Sequence, residues 1–376
     1  MGSGPSNAEP RVLQAIAAAP VAPGDPVLRA VLDDVSVLER AVFQTANTSS
    51  LVVPGASRSG LEAVVASLVD PGDRVLVGVY GHFGELLCTL ASRHGATVER
   101  VDADWGCAVD VETMIRRIRA NPPKLVAIVH ADTSTGILQP LAALGAACRE
   151  TGALLIADCV LSIGGCEVNV DGWRVDAAVA GLQKCLGGPP GVALVTWSAR
   201  AQEVLTARRT PVQSAYLDLT RLAAVWDGGV GELSTTMLLA AREALRIVLE
   251  EGLEARWERH AQASRALRAG VDAMGLEQFV TSEASVPMIT LVKVPDGVDE
   301  LGVREQLLVE HGIEIMAAFG PLRGRVWRIG TMGTNAGLPS VLTVLAGLEA
   351  VLASRGYKME RGAAVDAARQ AVGGAQ

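Results

Sequence analysis

The chain has 376 residues, 49% of them hydrophobic, more than one hydrophobic core usually encloses, so two packed domains are expected. Its formal net charge is −8 and only 3% of its residues are aromatic, so it offers no basic stripe and no base-stacking surface, and nucleic acid is not expected as a partner. The apolar stretch from Ala15 to Val21 is cut by Pro20, and no segment reaches about 18 uninterrupted apolar residues, so neither a membrane span nor a signal peptide is expected. The cysteines Cys88, Cys107, Cys148, Cys159, Cys166 and Cys185 form no Cys-x-x-Cys pair and sit singly in apolar segments. They read as reduced core residues of a cytoplasmic protein without a metal site.

From about residue 50 the chain alternates short β-rich runs with helical stretches that end at glycine. LVV (51 to 53) leads through PGASRSG to LEAVVASLV, and RVLVGVY leads to a helix ending at Gly95. TVERV, KLVAIVH, ALLIADCV, DAAVAGLQK and GVALVTW follow as further strands. Strands that are apolar throughout and separated by helices predict an α/β domain with a mostly parallel sheet covered on both faces. Ligands of such sheets bind outside the carboxyl ends of the strands. After about residue 236 a long amphipathic stretch reads as linking helices, and SVPMITLVKV, ELGVREQLLVEHG, IEIMAAFG and RVWRIGTMG suggest a smaller α+β domain. The expected division is residues 1 to 240 and 241 to 376, with the tail after Tyr357 a frayed helix.

Each strand end of the first domain carries something chemical. ALLIAD closes on Asp158, a carboxylate after a fully apolar run, which alone would read as a turn or helix cap. In GASRSGLE, Ser59 and Glu62 fit a capping box and leave the N–H groups of Ala56, Ser57 and Arg58 free for an anion. HADTSTG supplies the hydroxyls of Thr133, Ser134 and Thr135, and YGHFG the ring of Phe83. GLQKCLGGPPG places Lys184 beside Gln183 just before a glycine- and proline-rich break. Pyridoxal 5′-phosphate needs this combination: a lysine for a Schiff base, an anion for the ring nitrogen, a helix N-terminus for the phosphate and an apolar or aromatic face for the ring.

These motifs, with GPSN (4 to 7), YLDL and IEIMAAFGPLRGRVWRIGTMG, resemble the class V, fold type I pyridoxal-phosphate aminotransferases over about residues 4 to 350, in particular the alanine–, serine– and ureidoglycine–glyoxylate group. The resemblance implies that Lys184 holds the cofactor and moves the proton at the substrate Cα, and that Asp158 pairs with the ring nitrogen. It implies a stacking role for Phe83, polar cofactor contacts for Thr133 and Gln183, and a phosphate cup from Ala56, Ser57 and Arg58. Arg328 in RVWRIG stands where the family binds the substrate carboxylate, a task suited to the guanidinium fork. A homodimer is implied as well, because relatives complete each site with a loop of the partner chain.

Two segments depart from the family pattern. WDGGVGELSTTML is shorter than the usual phosphate-reaching segment and puts Glu232 near the usual threonine, where it would bind substrate, pair with Arg58 or simply begin the next helix. VAPGDP lacks the His or Gln that relatives carry before Asp-Pro. Because Lys184, Asp158 and Arg328 are retained, transamination of a small amino acid to glyoxylate or pyruvate is the first reading. The alternative is a lyase or oxidative deaminase acting on a sulfur-bearing conjugate, as in actinobacterial lincosamide pathways, and a cofactor-binding scaffold without turnover comes third.

Overall fold

The computed structural model describes residues 1–229, 233–281 and 283–373. Two helices precede the first strand, α1 (Pro10–Ile16) and α2 (Pro26–Phe43). Both start with proline, which lacks only an N–H the first turn cannot use, and Asp25 caps α2 by accepting from Val27 N at 2.8 Å. The sequence patterns predicted neither helix.

The chain then runs β1 (Ser49–Pro54), α3 (Ser57–Leu68), β2 (Arg74–Val79), α4 (His82–Arg93), β3 (Thr97–Asp102), α5 (Val111–Ala120) and β4 (Leu125–Val129). A short antiparallel pair, β5 (Ala131–Asp132) and β6 (Ile137–Leu138), precedes α6 (Ala142–Thr151), β7 (Leu154–Asp158), β8 (Ala177–Gly181) and β9 (Val192–Trp197). The seven long strands form one sheet in the order β1-β9-β8-β7-β4-β2-β3. Every residue of β4, β7 and β8 is buried, as expected of apolar strands with helices on both faces. The sheet is parallel from β3 to β8, but β9 runs antiparallel to both β8 and β1. The reason is local: the loop from 182 to 191 is too short for the crossover of about a dozen or more residues that a parallel partner needs, and a direct return can only pair antiparallel. Gly60 lets α3 lie close on this part of the sheet, since a Cβ there would come within 2.6 Å of Ala193 Cβ and 2.8 Å of Val179 Cγ1.

Helices α7 (Ala199–Ala207), α8 (Leu219–Trp226), α9 (Thr235–Glu251) and α10 (Leu253–Ala273) lead on, the last two separated at Gly252, whose φ of +87° suits glycine. The remainder is β10 (Ile289–Lys293), α11 (Glu300–His311), β11 (Met316–Ala317), β12 (Val326–Gly330), α12 (Leu338–Ser354) and α13 (Ala363–Gly373). Its antiparallel sheet has the order β10-β12-β11. Side chains alternate along β12, so Trp327 and Ile329 join a second core with Leu267, Val303 and Leu345 while Arg328 takes the opposite face. Where a frayed tail was expected, α13 packs on α10 and α12 with Ala364 and Ala368 fully buried. Among the described residues no helix is long and apolar enough to cross a membrane.

Candidate active site

A cavity of about 190 Å³ opens at the carboxyl ends of β4, β7 and β8. Its lining includes Ala56, Ser57, Arg58, Phe83, Thr133, Asp158, Gln183 and Lys184, so eight positions picked from separate strand-end loops meet around one space. Leu61, Leu86, Val129, Ala131, Val160 and Leu161 complete apolar walls.

Asp158 ends β7 and is 4% exposed, its Oδ1 accepting from Val160 N at 3.0 Å. Burial pushes its carboxyl up to about 7, opposed by that N–H and by Lys184 and reinforced by the charge of Asp132. Lys184 lies three residues beyond β8 and is also buried. Burial and then the charge of Arg328 lower its amine to about 8, against the pull of Asp158 and Asp132. Lys184 Nζ donates to the carbonyl of Ser3 at 2.5 Å, and a Cβ on Gly4 would collide with that nitrogen. The GPSN segment is therefore packed on the lysine, a contact that no spacing in the sequence reveals.

At the opposite wall α3 begins at Ser57 with Ala56 as its N-cap, and no side chain caps it. This corrects the capping-box reading. Ser59 lies inside the helix and its hydroxyl donates to Pro54 O and Ala56 O, both at 2.7 Å, because the turn at Gly55 starts the helix earlier. No side chain caps this first turn, and Ala56, Ser57 and Arg58 line the cavity, where an anion could take the N–H groups of a helix start. Gln183 Nε2 donates to Ser57 Oγ at 2.6 Å, and Gln183 Oε1 is buried without a partner among the described residues. Gly181 makes room for this pair, since a Cβ there would strike both Ser57 Oγ and Gln183 Oε1. An amine, a carboxylate, an uncapped helix start and apolar walls fit the functional groups of pyridoxal phosphate.

Asp132 is fully buried and was not singled out from the sequence. Its Oδ1 accepts from Ser134 N at 2.7 Å and Ser134 Oγ at 2.6 Å, and its Oδ2 from Phe83 N at 3.3 Å, so one carboxylate ties the Thr133 loop to the Phe83 loop. Val160 was missed as well; its only signal was its place two residues after Asp158.

Arg328 is 3% exposed, which rules out the ordinary surface-strand arginine. Its Nε donates to Ala317 O at 2.8 Å and its Nη1 to Thr133 O at 3.2 Å, which brings it to the edge of the cavity. Its guanidinium lies 4.3 Å from the ring centroid of Phe319, and that ring stacks on His82 at 4.5 Å. Burial lowers its pKa to about 10, which leaves it charged near neutral pH. Glu232, with Val230 and Gly231, lies outside the described residues.

Residues 37–321 match the family model of class-V aminotransferases. The (S)-ureidoglycine–glyoxylate transaminase of Bacillus subtilis is 44% identical, covering 98% of this chain and 94% of its own. The alanine–glyoxylate aminotransferase of Drosophila melanogaster is 37% identical over 94% of this chain and 92% of its own. Among solved structures, the ureidoglycine–glyoxylate aminotransferase of Bacillus subtilis superposes with a TM-score of 0.96 at 45% identity, covering 99% of this chain and 97% of that one. These relatives support transamination and lend nothing to the lyase alternative. With a family match over most of its length and relatives similar from end to end, the chain belongs to the class-V aminotransferases, enzymes of pyridoxal 5′-phosphate.

Proposed function

We propose that the amino acceptor is glyoxylate and the donor a small amino acid whose carboxylate is held by Arg328. The observation that carries this reading is the single cavity where Lys184, Asp158 and the first turn of α3 meet, with Arg328 buried at its edge. Support for the acceptor comes from the two relatives described above, whose names share glyoxylate.

In this reading Lys184 Nζ holds the cofactor, Asp158 faces the ring nitrogen, and the N–H groups of Ser57 and Arg58 with Gln183 take the phosphate. Phe83 and Val160 flank the ring, and Thr133 lines its edge. Bound there, pyridoxal phosphate supplies an aldehyde for the donor amine and a ring that accepts negative charge from the donor Cα. With an amine near 8, Lys184 is partly neutral at physiological pH and can take the Cα proton and return it. Arg328 keeps its charge and presents Nη2, which has no hydrogen-bond partner among the described residues, to a carboxylate.

Acceptor competition tests the proposal. With alanine, serine or (S)-ureidoglycine as donor and equal glyoxylate and pyruvate, glycine should form faster than alanine is made or exchanged. Preferential use of pyruvate with every donor would sink the glyoxylate assignment.

A further inference from the structure

Two turns meet behind Lys184, which lines the cavity. One runs from Lys184 to Gly187, closed by Gly187 N donating to Lys184 O at 3.2 Å. The other runs from Gly333 to Ala336, three residues after the strand that carries Arg328, closed by Ala336 N donating to Gly333 O at 3.3 Å. They touch: a Cβ on Gly333 would lie 3.2 Å from both Gly187 Cα and Lys184 O.

One stretch of α10 grips both turns. Arg256, 2% exposed, donates from Nη2 to Cys185 O at 2.6 Å and from Nη1 to Glu251 Oε2 at 2.5 Å, while its Nε is buried without a partner among the described residues. Arg259 donates from Nη1 to Gly333 O at 2.9 Å and Ala336 O at 2.7 Å, and from Nε to the same Glu251 at 2.6 Å. His260 is fully buried, with Nε2 3.1 Å from Gly333 N and Nδ1 2.8 Å from Arg256 O. A main-chain N–H can only donate, so Nε2 accepts; the proton sits on Nδ1 and is donated to the Arg256 carbonyl. The ring is neutral, since burial lowers its pKa to about 3.

Burying a guanidinium that shares its one carboxylate with a second arginine is a poor way to stabilise a fold, because apolar packing of similar volume does as well or better. What the arrangement adds is geometric definition of the main chain next to Lys184 and after Arg328. We propose that Arg256, Arg259 and His260 are positioning residues that set the distance between the Lys184 amine and the Arg328 guanidinium, and with it the alignment of the donor Cα between proton carrier and carboxylate holder. The inference rests on the roles given to Lys184 and Arg328 under the proposed function.

The test uses the holoenzyme and the variants Arg259→Gln, Arg256→Met, Arg256→Lys, His260→Leu and His260→Gln. Three quantities are read: the rate constant of amino transfer from donor to cofactor, the donor concentration at half-maximal rate, and the pH midpoint of the bound-cofactor absorbance. That midpoint reports the surroundings of the Lys184 nitrogen and is indifferent to a simple loss of stability. Arg259→Gln and Arg256→Met should keep cofactor, transfer about ten- to a hundredfold more slowly and show a displaced midpoint, since misplacement near 1 Å has effects of that order. Arg256→Lys should not restore the rate, because an ammonium lacks the fork. His260→Gln, which keeps an acceptor for Gly333 N, should exceed His260→Leu. Variants that lose only melting temperature, with the wild-type rate constant and midpoint below it, would overturn the proposal. Should Arg256→Met fail to fold, Arg259→Gln still decides, its side chain being one-third exposed. Absence of amino transfer in the wild-type enzyme would instead defeat the functional reading, and the midpoints alone would then judge the clamp.

Discussion

Replacing Lys184 with alanine should abolish covalent attachment of the cofactor and slow amino transfer by at least about 10³-fold, since nucleophile and proton carrier are lost together. The fold should survive. Lys184 lies in a loop beyond β8, and its amine is lowered to about 8 chiefly by burial, so removing it relieves a desolvated group. The hydrogen bond to Ser3 O goes with it, leaving a main-chain carbonyl that water can reach through the vacated space. Mass spectrometry after borohydride reduction and a thermal melt check both halves. A reduced cofactor still attached to the Lys184→Ala chain would show that another lysine is the anchor.

Asp158→Asn should give the second largest loss, because a neutral amide cannot hold a proton on the ring nitrogen, and the ring then accepts charge from the donor Cα poorly. Cofactor binding should persist through Lys184 and the α3 turn. The same variant carries a pH signature in the cofactor-free protein. The folded carboxyl is raised to about 7 from an ordinary 3.8, so between these values the folded chain binds more protons than the unfolded one, and stability falls as pH rises through that window. Asparagine does not titrate. The melting temperature of cofactor-free Asp158→Asn should therefore gain on wild type as pH rises from about 4 to 7 and hold that gain above it. A difference that is flat across the window would mean that the carboxylate is already charged in the folded protein.

Much of the site was legible because its residues sit at strand ends. A fully apolar run that stops at Asp158, and another that stops just before Lys184, announce both the sheet and the edge where ligands bind. That edge brought all eight cofactor candidates to one cavity. What stayed hidden depends on contacts between distant parts of the chain. Arg328 meets Thr133 O across 195 positions, and the Ser3 carbonyl meets Lys184 across 181. Asp132 resembled any polar turn residue until its carboxylate was seen to tie two loops. Arg256 and His260 sit in ARWERHAQ, where arginine and histidine on an amphipathic helix look like a solvated face. The capping box failed for a local reason: serine three residues before glutamate has the right spacing, yet the helix starts at Ser57 and turns the Ser59 hydroxyl into a donor. The reversal of β9 could be inferred from the short connection before it, but an apolar strand reads the same in either direction.

The most direct test of amino transfer through this site omits the acceptor. Purified holoenzyme is mixed with alanine, serine or (S)-ureidoglycine, and the cofactor absorbance and the products are followed together. The account predicts that one donor converts the bound aldehyde form to the amine form, with one oxo acid released per site, and that glyoxylate then restores the original spectrum and yields glycine. Release of ammonia or of a cleaved side chain, with no amine form and no response to glyoxylate, would contradict it.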